Sequence, residues 1–183
     1  MNKRRNNGRY PVALRVDQGH YPSMRESVRV RPATPDDAAT LAQLNDFVHA
    51  PHVNERPDIF RAPLSAEELV SLFSTFLARE NALAFIADSP ERPVGYATAT
   101  IHKRPGDALM RPRSFVFVEH IAVDPTIART GVGTALVESI RVAGKEAGCT
   151  SLLTDVWDFN KRALAFFEAA GLVHMRHWLE QPL

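Results

Sequence analysis

The sequence has a single cysteine, almost no net charge and no long apolar run. Because Cys149 stands alone among 183 residues, an internal disulfide framework is excluded and a reducing, cytoplasmic location is predicted. The formal net charge of +1 offers no overall electrostatic attraction for nucleic acid. No apolar run approaches the length of a membrane span, and no hydrophobic segment follows the basic start as in a secretory signal. We therefore expect neither a membrane nor a nucleic acid as the partner.

The first 27 residues differ from the rest of the chain in charge and pattern. Six basic side chains outweigh two acidic ones there, which gives this segment about +4 and the remainder about −3. Residues 1–27 also lack a periodic apolar face. We therefore predict a basic, flexible extension over residues 1–27 and one domain over residues 28–183. A nucleic-acid-binding arm is the less favoured interpretation of the extension.

Hydrophobic periodicity predicts alternating strands and helices in the remainder, and therefore an α/β fold. Strands are predicted at 28–31, 82–87, 94–101, 115–123, 152–156 and 172–178. Helices are predicted after Thr34, after Ser65, after Gly133 and over 161–170. Two prolines predict an irregular loop over 51–60.

Two of these helices carry clear sequence signals. The first has proline at its first turn and an apolar face that consists of Leu41, Leu44 and Val48. In the second, a capping box joins Ser65 to Glu68. The buried stripe predicted for it consists of Leu69, Leu72, Phe73 and Phe76.

The most informative stretch is a strand, a glycine-bearing loop and a helix between residues 115 and 137. The strand ends at Asp124 and Pro125, because proline has no N–H for a strand ladder. Gly131 and Gly133 then precede a helical pattern, and loop N–H groups at a helix start form a cradle for phosphate. No Gly-Lys-Ser/Thr follows, and Leu136 stands where a dinucleotide fingerprint needs a small residue. Ordinary turn glycines are the alternative interpretation.

Two motifs resemble those of the GCN5-related N-acetyltransferase (GNAT) superfamily. The first is a strand ending in Val-x-Pro followed by Arg/Gln-x-x-Gly-x-Gly/Ala, which is matched by Val123, Pro125, Gly131 and Gly133. Its leading Arg/Gln is replaced by Ala128. The second motif is Asn-x-x-Ala-x-x-Phe-Tyr-x-x-x-Gly, which is matched at Asn160, Ala163, Phe166 and Gly171. The resemblance covers roughly residues 28–183.

The resemblance implies a GNAT fold, in which a mixed, splayed β-sheet is flanked by α-helices and acetyl-CoA fills the splay as co-substrate. The backbone after the central strand, the glycine loop and the second motif are implied to bind it. These implied contacts are Ile121, Ala122, Val123, Arg129, Thr130, Gly131, Val132, Gly133, Thr134, Asn160 and Phe167. The resemblance also places the loop between the first two helices beside the acceptor. The candidate acceptor contacts are His52, Glu55, Asp58 and Trp157, with plain solvation of the loop as the alternative.

Acetyl transfer from a thioester to an amine needs a neutral nitrogen. An amine with a pKa of about 10.4 is roughly 0.1% neutral near pH 7.4, a deficit of about 4 kcal/mol that a general base helps to recover. Glu119 is the candidate base, because it is a carboxylate in an apolar strand, where burial favours proton uptake. Strand alternation predicts that it shares a face with Ile121 and Val123, while His120 points away and is packed or hydrogen-bonded. A structural glutamate is the alternative.

The function predicted from these features is acetyl transfer from acetyl-CoA to a primary amine by direct attack. The tyrosine that serves as general acid in the family is replaced by Phe167, so the thiolate leaves unassisted or another group, such as Tyr96, protonates it. The alternative function is a non-catalytic acyl-CoA-binding sensor or assembly domain. The acceptor, a small-molecule amine or a protein amine, stays open, as does the oligomeric state, a homodimer included. No metal is expected.

Overall fold

The computed structural model describes residues 28–61 and 65–183, and the prediction for residues 1–27 lies outside the described residues. A 3₁₀ turn at Pro35–Asp37 leads into the first helix. The strands are β1 (Arg29–Pro32), β2 (Ala82–Asp88), β3 (Pro93–Arg104), β4 (Arg113–Val123) and β5 (Ser151–Leu153). The helices are α1 (Ala38–Leu44), α2 (Asp46–Glu55), α3 (Ala66–Leu77), α4 (Val132–Glu146) and α5 (Lys161–Ala169).

The sheet has the strand order β1-β2-β3-β4-β5, with antiparallel pairs except for the parallel pair β4–β5. That last pair is short, because only Phe115–Phe117 of β4 faces Ser151–Leu153. A side-chain hydrogen bond from Thr154 Oγ1 to the carbonyl of Val118 (3.2 Å) marks its end. Beyond this point β4 continues to Val123 while β5 has ended, so the sheet is mixed and splayed as predicted.

The two faces of the sheet carry different helices. Helix α4 covers one face, where Leu136 and Ile140 are fully buried against β2, β3 and β4. Gly144 lies against Val116 on this face so closely that an added Cβ would collide with the valine side chain, which makes glycine necessary there. Helices α1 and α3 cover the other face, and their buried residues surround Tyr96.

A β-bulge in β4 interrupts the regular pairing with β3 at Glu119. Thr98 pairs with His120 and Ala99 pairs with Val118, so Glu119 has no residue opposite it on β3. The extra residue reverses the alternation of side chains along the strand.

The bulge corrects two predictions about β4. Ile121 and Val123 pack on the α4 face, whereas Glu119 and His120 both line a cavity beneath α3. Glu119 therefore does not share a face with Ile121 and Val123, and His120 does not point away from it. The prediction assumed unbroken alternation, which a bulge interrupts.

Several other parts of the chain differ from the sequence-based prediction. The strand predicted at 152–156 is formed only at Ser151–Leu153. The predicted irregular loop over 51–60 begins as the last turn of α2, which contains Pro51, because the following segment packs on that turn. Leu72 of the predicted buried stripe is 48% exposed. The predicted strand over 172–178 is not formed, since β5 offers an edge of only three residues for pairing.

Candidate active site

The turn that leaves β4 is fixed by a buried carboxylate. Asp124 accepts hydrogen bonds from the backbone N–H (2.8 Å) and the hydroxyl (2.7 Å) of Thr126, and it also pairs with Arg92. The hydrogen bonds from Thr126 and then Arg92 lower the pKa of Asp124 to about 2. The turn after the central strand is therefore held in one conformation.

The following loop leaves its backbone donors unpaired among the described residues. Arg129 (φ 68°) and Gly131 (φ 89°) adopt left-handed conformations just before α4 begins. Within the described residues, no hydrogen bond is formed by the backbone N–H groups from Arg129 to Thr134. A Cβ at Gly131 would meet nothing within 4 Å, so the loop is open above this residue. Unpaired N–H groups at the start of a 15-residue helix fit a phosphate group.

The splay exposes one edge of β4 beside this loop. Ile121, Ala122 and Val123 pair with β3 on one side, whereas their other side has no neighbouring strand in the part of the chain that the structure describes, because β5 is short. An extended amide-containing ligand could pair with this edge as an added strand does. The open edge, the Asp124 turn and the open loop follow one another along the chain.

The second sequence motif forms the start of α5 on the far side of the splay. Asn160 Oδ1 accepts the Ala163 N–H (3.0 Å) as a helix cap, which leaves the Asn160 amide nitrogen available as a donor. Phe167 is buried, with its ring centroid 5.1 Å from that of Phe166. A Cβ on Gly133 would lie 3.2 Å from the Phe166 ring, so glycine permits close contact between α4 and α5.

Glu119 is exposed rather than buried. Thr100 Oγ1 donates to Glu119 Oε1 (2.8 Å), and Oε2 has no hydrogen-bond partner in the described ranges. The expectation of burial is wrong because the bulge directs this side chain into an open cavity of 230 Å³ under α3. The carboxylate is thus accessible to a ligand and lies one residue from the start of the splay at Val118.

A buried hydrogen-bond chain determines the state of His120. Tyr96 is fully buried, and its hydroxyl donates to Asn45 Oδ1 (2.9 Å) while lying 3.3 Å from His120 Nδ1. With the hydroxyl proton directed at Asn45, this contact favours the tautomer of neutral His120 that is protonated at Nδ1 and has its lone pair at Nε2. Burial lowers the pKa of His120, an effect that nearby Glu119 opposes, and burial raises the pKa of Tyr96 well above its usual range.

Aromatic rings gather where α2 meets the loop after β5. His52 contacts Phe60 (centroids 5.0 Å apart) and Phe159 (5.4 Å), and Trp157 contacts Phe60 (5.3 Å). Arg56 lies over the Trp157 ring at 5.5 Å. The structure therefore brings together two of the predicted acceptor contacts, His52 and Trp157, although they are far apart in sequence.

The two predicted acidic contacts have different surroundings. Asp58 binds Arg56 (2.8 Å), and the same guanidinium also reaches Glu180 (3.0 Å) near the C-terminus. Glu55 lies at the exposed C-terminal end of α2. The sequence analysis missed Phe60, which is adjacent to the predicted residues in space and is preceded by Ile59 in a short apolar pair. It also missed the hydroxyl and guanidinium groups that line the cavity, which carry no local motif.

The structural order of strand, open loop and helix is also that of a known protein family. The model of the acetyltransferase (GNAT) family matches residues 51–172, two thirds of the chain. The chain belongs to this family. No helix in the described part of this GNAT protein could span a membrane, and no group of three or more His, Cys, Asp or Glu side chains there could hold a metal ion.

Solved structures of other GNAT-fold proteins resemble the chain along most of their length. A point mutant of the BH1408 protein from Bacillus halodurans is 31% identical, with a TM-score of 0.77 over 84% of this chain and 98% of that chain. The aminoglycoside N-acetyltransferase AAC(6')-Iy, in complex with CoA, is 17% identical, with a TM-score of 0.71 over 89% of this chain and 99% of that chain. The second likeness shows the fold alone. No curated protein is significantly similar to the chain.

Proposed function

We propose that this protein is an acetyl-CoA-dependent N-acetyltransferase that acts on a primary amine by direct attack. The proposal is supported by two adjacent features of this GNAT-family chain, an open β4 edge and the six N–H groups from Arg129 to Thr134. Neither has a partner within residues 28–61 and 65–183. The aminoglycoside acetyltransferase of similar fold was solved with CoA and with a bisubstrate analogue that contains CoA, which supports the same co-substrate here.

The cofactor side of the splay supplies mainly backbone groups. The loop N–H groups of residues 129–134 would hold the pyrophosphate, and the free edge of Ile121–Val123 would pair with the pantetheine amides. Asn160 would donate from its amide nitrogen at the start of α5, the helix that also carries Phe167. Ala128, which replaces the usual Arg or Gln of the motif, costs little because backbone donors provide this contact.

Glu119 is proposed as the group that takes the proton from the acceptor ammonium. Its Oε2 is unpaired among the described residues, while Thr100 holds Oε1, so one oxygen is oriented and the other is available. The neutral amine attacks the acetyl carbon of acetyl-CoA, with formation of the C–N bond and cleavage of the C–S bond. The second proton that the nitrogen loses on becoming an amide passes to water, which balances the proton that the departing thiolate takes up. Glu119 then passes its proton to solvent, to which it is exposed.

In the described part of the chain, residues 28–61 and 65–183, no tyrosine is placed to protonate the departing thiolate. Phe167 stands at the family position and cannot donate a proton. Tyr96 is fully buried and its hydroxyl proton is committed to Asn45, so it does not face the splay. We propose that the thiolate leaves without a protein proton donor and is protonated by water.

The acceptor is proposed to pass between the splay and the aromatic cluster of His52, Phe60, Trp157 and Phe159. Trp157 and His52 would contact it through their rings as it enters. Glu55 would contribute negative charge at the rim, and Asp58 would act there together with the Arg56 that it binds. The chain's one cysteine supports a reducing cytoplasm as the place of action.

The test combines cofactor binding with turnover. Calorimetry should detect CoA binding, and free thiol should appear from acetyl-CoA in the presence of a suitable amine and saturate with amine concentration. CoA binding without amine-dependent thiol release across a broad panel would favour the sensor or assembly alternative. Failure to bind CoA at all would contradict the proposal.

A further inference from the structure

The cavity beneath α3 contains two opposite charges that do not neutralise each other. Glu119 lines it from β4 and Arg79 lines it from the residues that follow α3. Neither side chain forms an ion pair within residues 28–61 and 65–183. We propose that this cavity binds the acceptor, and that the acceptor is an amino acid-like zwitterion with an apolar side chain. This inference rests on the proposed N-acetyltransferase function.

The size of the cavity suits a small acceptor. Its volume of 230 Å³ corresponds to about eight water molecules at about 30 Å³ each, which is the scale of a free amino acid. Small-molecule sites for larger ligands usually start near about 300 Å³. A polypeptide or an oligosaccharide would have to leave most of its bulk outside.

The amine end of the site is rich in hydrogen-bond acceptors. Glu119 offers its unpaired Oε2, and His120 offers Nε2, because its Nδ1 carries a proton directed at Tyr96. Thr98 adds a hydroxyl from β3. An ammonium group has three N–H donors, so these groups provide one acceptor for each of them. The site lies beside the splay, since Val118, which bonds Thr154 at its start, directly precedes Glu119.

The carboxylate end is formed by Arg79. Its guanidinium lies 5.4 Å from the Phe76 ring centroid, and stacking on a ring orients the plane without using the N–H donors. A guanidinium with unused donors is suited to bidentate contact with a carboxylate. The same positive charge disfavours a second ammonium group, so polyamines and aminoglycosides should be poor acceptors.

The wall between the two charges is apolar. Phe73 and Phe76 are buried in α3, and Leu72 beside them is 48% exposed at the cavity. An apolar substrate side chain would cover Leu72, which gives this otherwise exposed leucine a contact. We therefore expect leucine, methionine and phenylalanine to be better acceptors than glycine or lysine.

The test uses acceptors in matched pairs that differ only in the carboxylate, such as L-phenylalanine with 2-phenylethylamine and L-leucine with 3-methylbutylamine. Thiol release from acetyl-CoA should give a kcat/KM at least about tenfold higher for the amino acid of each pair, the size expected for a charge-assisted contact. Arg79→Gln should abolish this preference. Arg79→Glu places a negative charge at the same point, so it should favour diamines over amino acids as acceptors. The matched control is Arg104→Gln, since Arg104 also lies 5.4 Å from an aromatic ring, that of Phe115, but outside the cavity. It should keep the preference.

Two results would overturn the inference while leaving the N-acetyltransferase proposal intact. One is equal turnover of both members of each pair by the unaltered protein. The other is the same preference in Arg79→Gln as in Arg104→Gln. If no amine is acetylated, calorimetric titration of L-phenylalanine into the CoA-bound protein separates the two proposals. Binding that Arg79→Gln abolishes would keep the cavity assignment, and the absence of binding would refute it.

Discussion

The two sides of β4 are built from different parts of the chain. On the cofactor side, the proposed contacts are backbone groups of the β4 edge and of the loop at Arg129 to Thr134. On the acceptor side, they are side chains, namely a carboxylate, an imidazole, a guanidinium and aromatic rings. A site made of backbone groups should tolerate substitutions that keep the path of the chain. A site made of side chains changes its specificity with each substitution.

The two sides also differ in the interactions that fix their geometry. The cofactor loop depends on local features, which are the Asp124 turn and two left-handed residues. The acceptor side depends on contacts between distant elements, such as the chain from Asn45 through Tyr96 to His120. Mutations on one side should therefore leave the other side largely unaffected, and this expectation can be tested from both directions.

The largest expected effect is on the acceptor side. Glu119→Gln removes the proton-accepting charge but keeps the shape, so kcat/KM for an amine of high pKa should fall about 10²–10⁴-fold near neutral pH. The loss should shrink as the pH approaches the amine's own pKa, because neutral amine then forms without help. CoA affinity should not change. A pH–rate profile measures this, with the exposed loop variant Glu91→Gln as the control. Parallel profiles offset by less than about threefold would remove Glu119 from the proton transfer.

The next effect is on the cofactor side. Gly131→Asp places a negative charge at the proposed pyrophosphate site, where repulsion of about 1–4 kcal/mol should weaken CoA binding at least about fivefold. Aspartate also has to adopt the left-handed conformation there. Gly148→Asp controls for this strain, because Gly148 has a φ of 78° and equally open surroundings at the far end of α4. Calorimetry on both folded variants should show a loss of affinity only in the first. An equal affinity in both would contradict the phosphate assignment.

A smaller effect is expected on the thermal stability of the protein, and it should differ between the two faces of the sheet. Tyr96→Phe removes the hydroxyl between Asn45 and His120 and leaves a buried acceptor unpaired, which should cost about 1–3 kcal/mol. At about 2–4 °C per kcal/mol, the Tm should fall by several degrees. The matched variant on the opposite face, Ser139→Ala, loses only a hydroxyl bonded to the Ala135 carbonyl within α4 and should change the Tm less. The comparison fails if Tyr96→Phe weakens CoA binding while its Tm is unchanged.

The smallest effect concerns the Asp124 turn and depends on pH. The pKa of Asp124 is lowered to about 2, so its charge stabilises the folded state above its ordinary value of 3.8, and this contribution is lost as the pH falls through about 2. Asp124→Asn should therefore lower the Tm at pH 7, by an amount that shrinks between pH 4 and pH 2. Thermal melts across this range provide the measurement. A Tm difference that is constant with pH would show that the charge of Asp124 contributes nothing.

The strand, turn and helix start on the proposed cofactor side were predictable from sequence because their signals are local. Glycine spacing, proline after the strand and the helical pattern all lie within about 25 residues, and the structure confirms the mixed, splayed sheet. The capping box was equally local, and Ser65 and Glu68 form both of its hydrogen bonds.

The acceptor side was less predictable because its geometry depends on pairing between distant residues. The bulge at Glu119 arises from the register between β3 and β4, and no residue in β4 marks it. Arg79 enters the cavity only because α3 packs over the sheet at that point. Likewise, propensity rules that exclude proline from helices did not predict the last turn of α2, which its packing on Phe60 stabilises.

The close approach of Gly133 to Phe166 makes the two sequence motifs mutationally dependent on each other. An alanine at position 133, which the family pattern allows, would place its methyl carbon 3.2 Å from the present phenylalanine ring, and the ring would have to shift. A smaller side chain at position 166 would relieve this contact. Residues 133 and 166 therefore form an epistatic pair, and libraries that redesign the cofactor loop should vary both positions together.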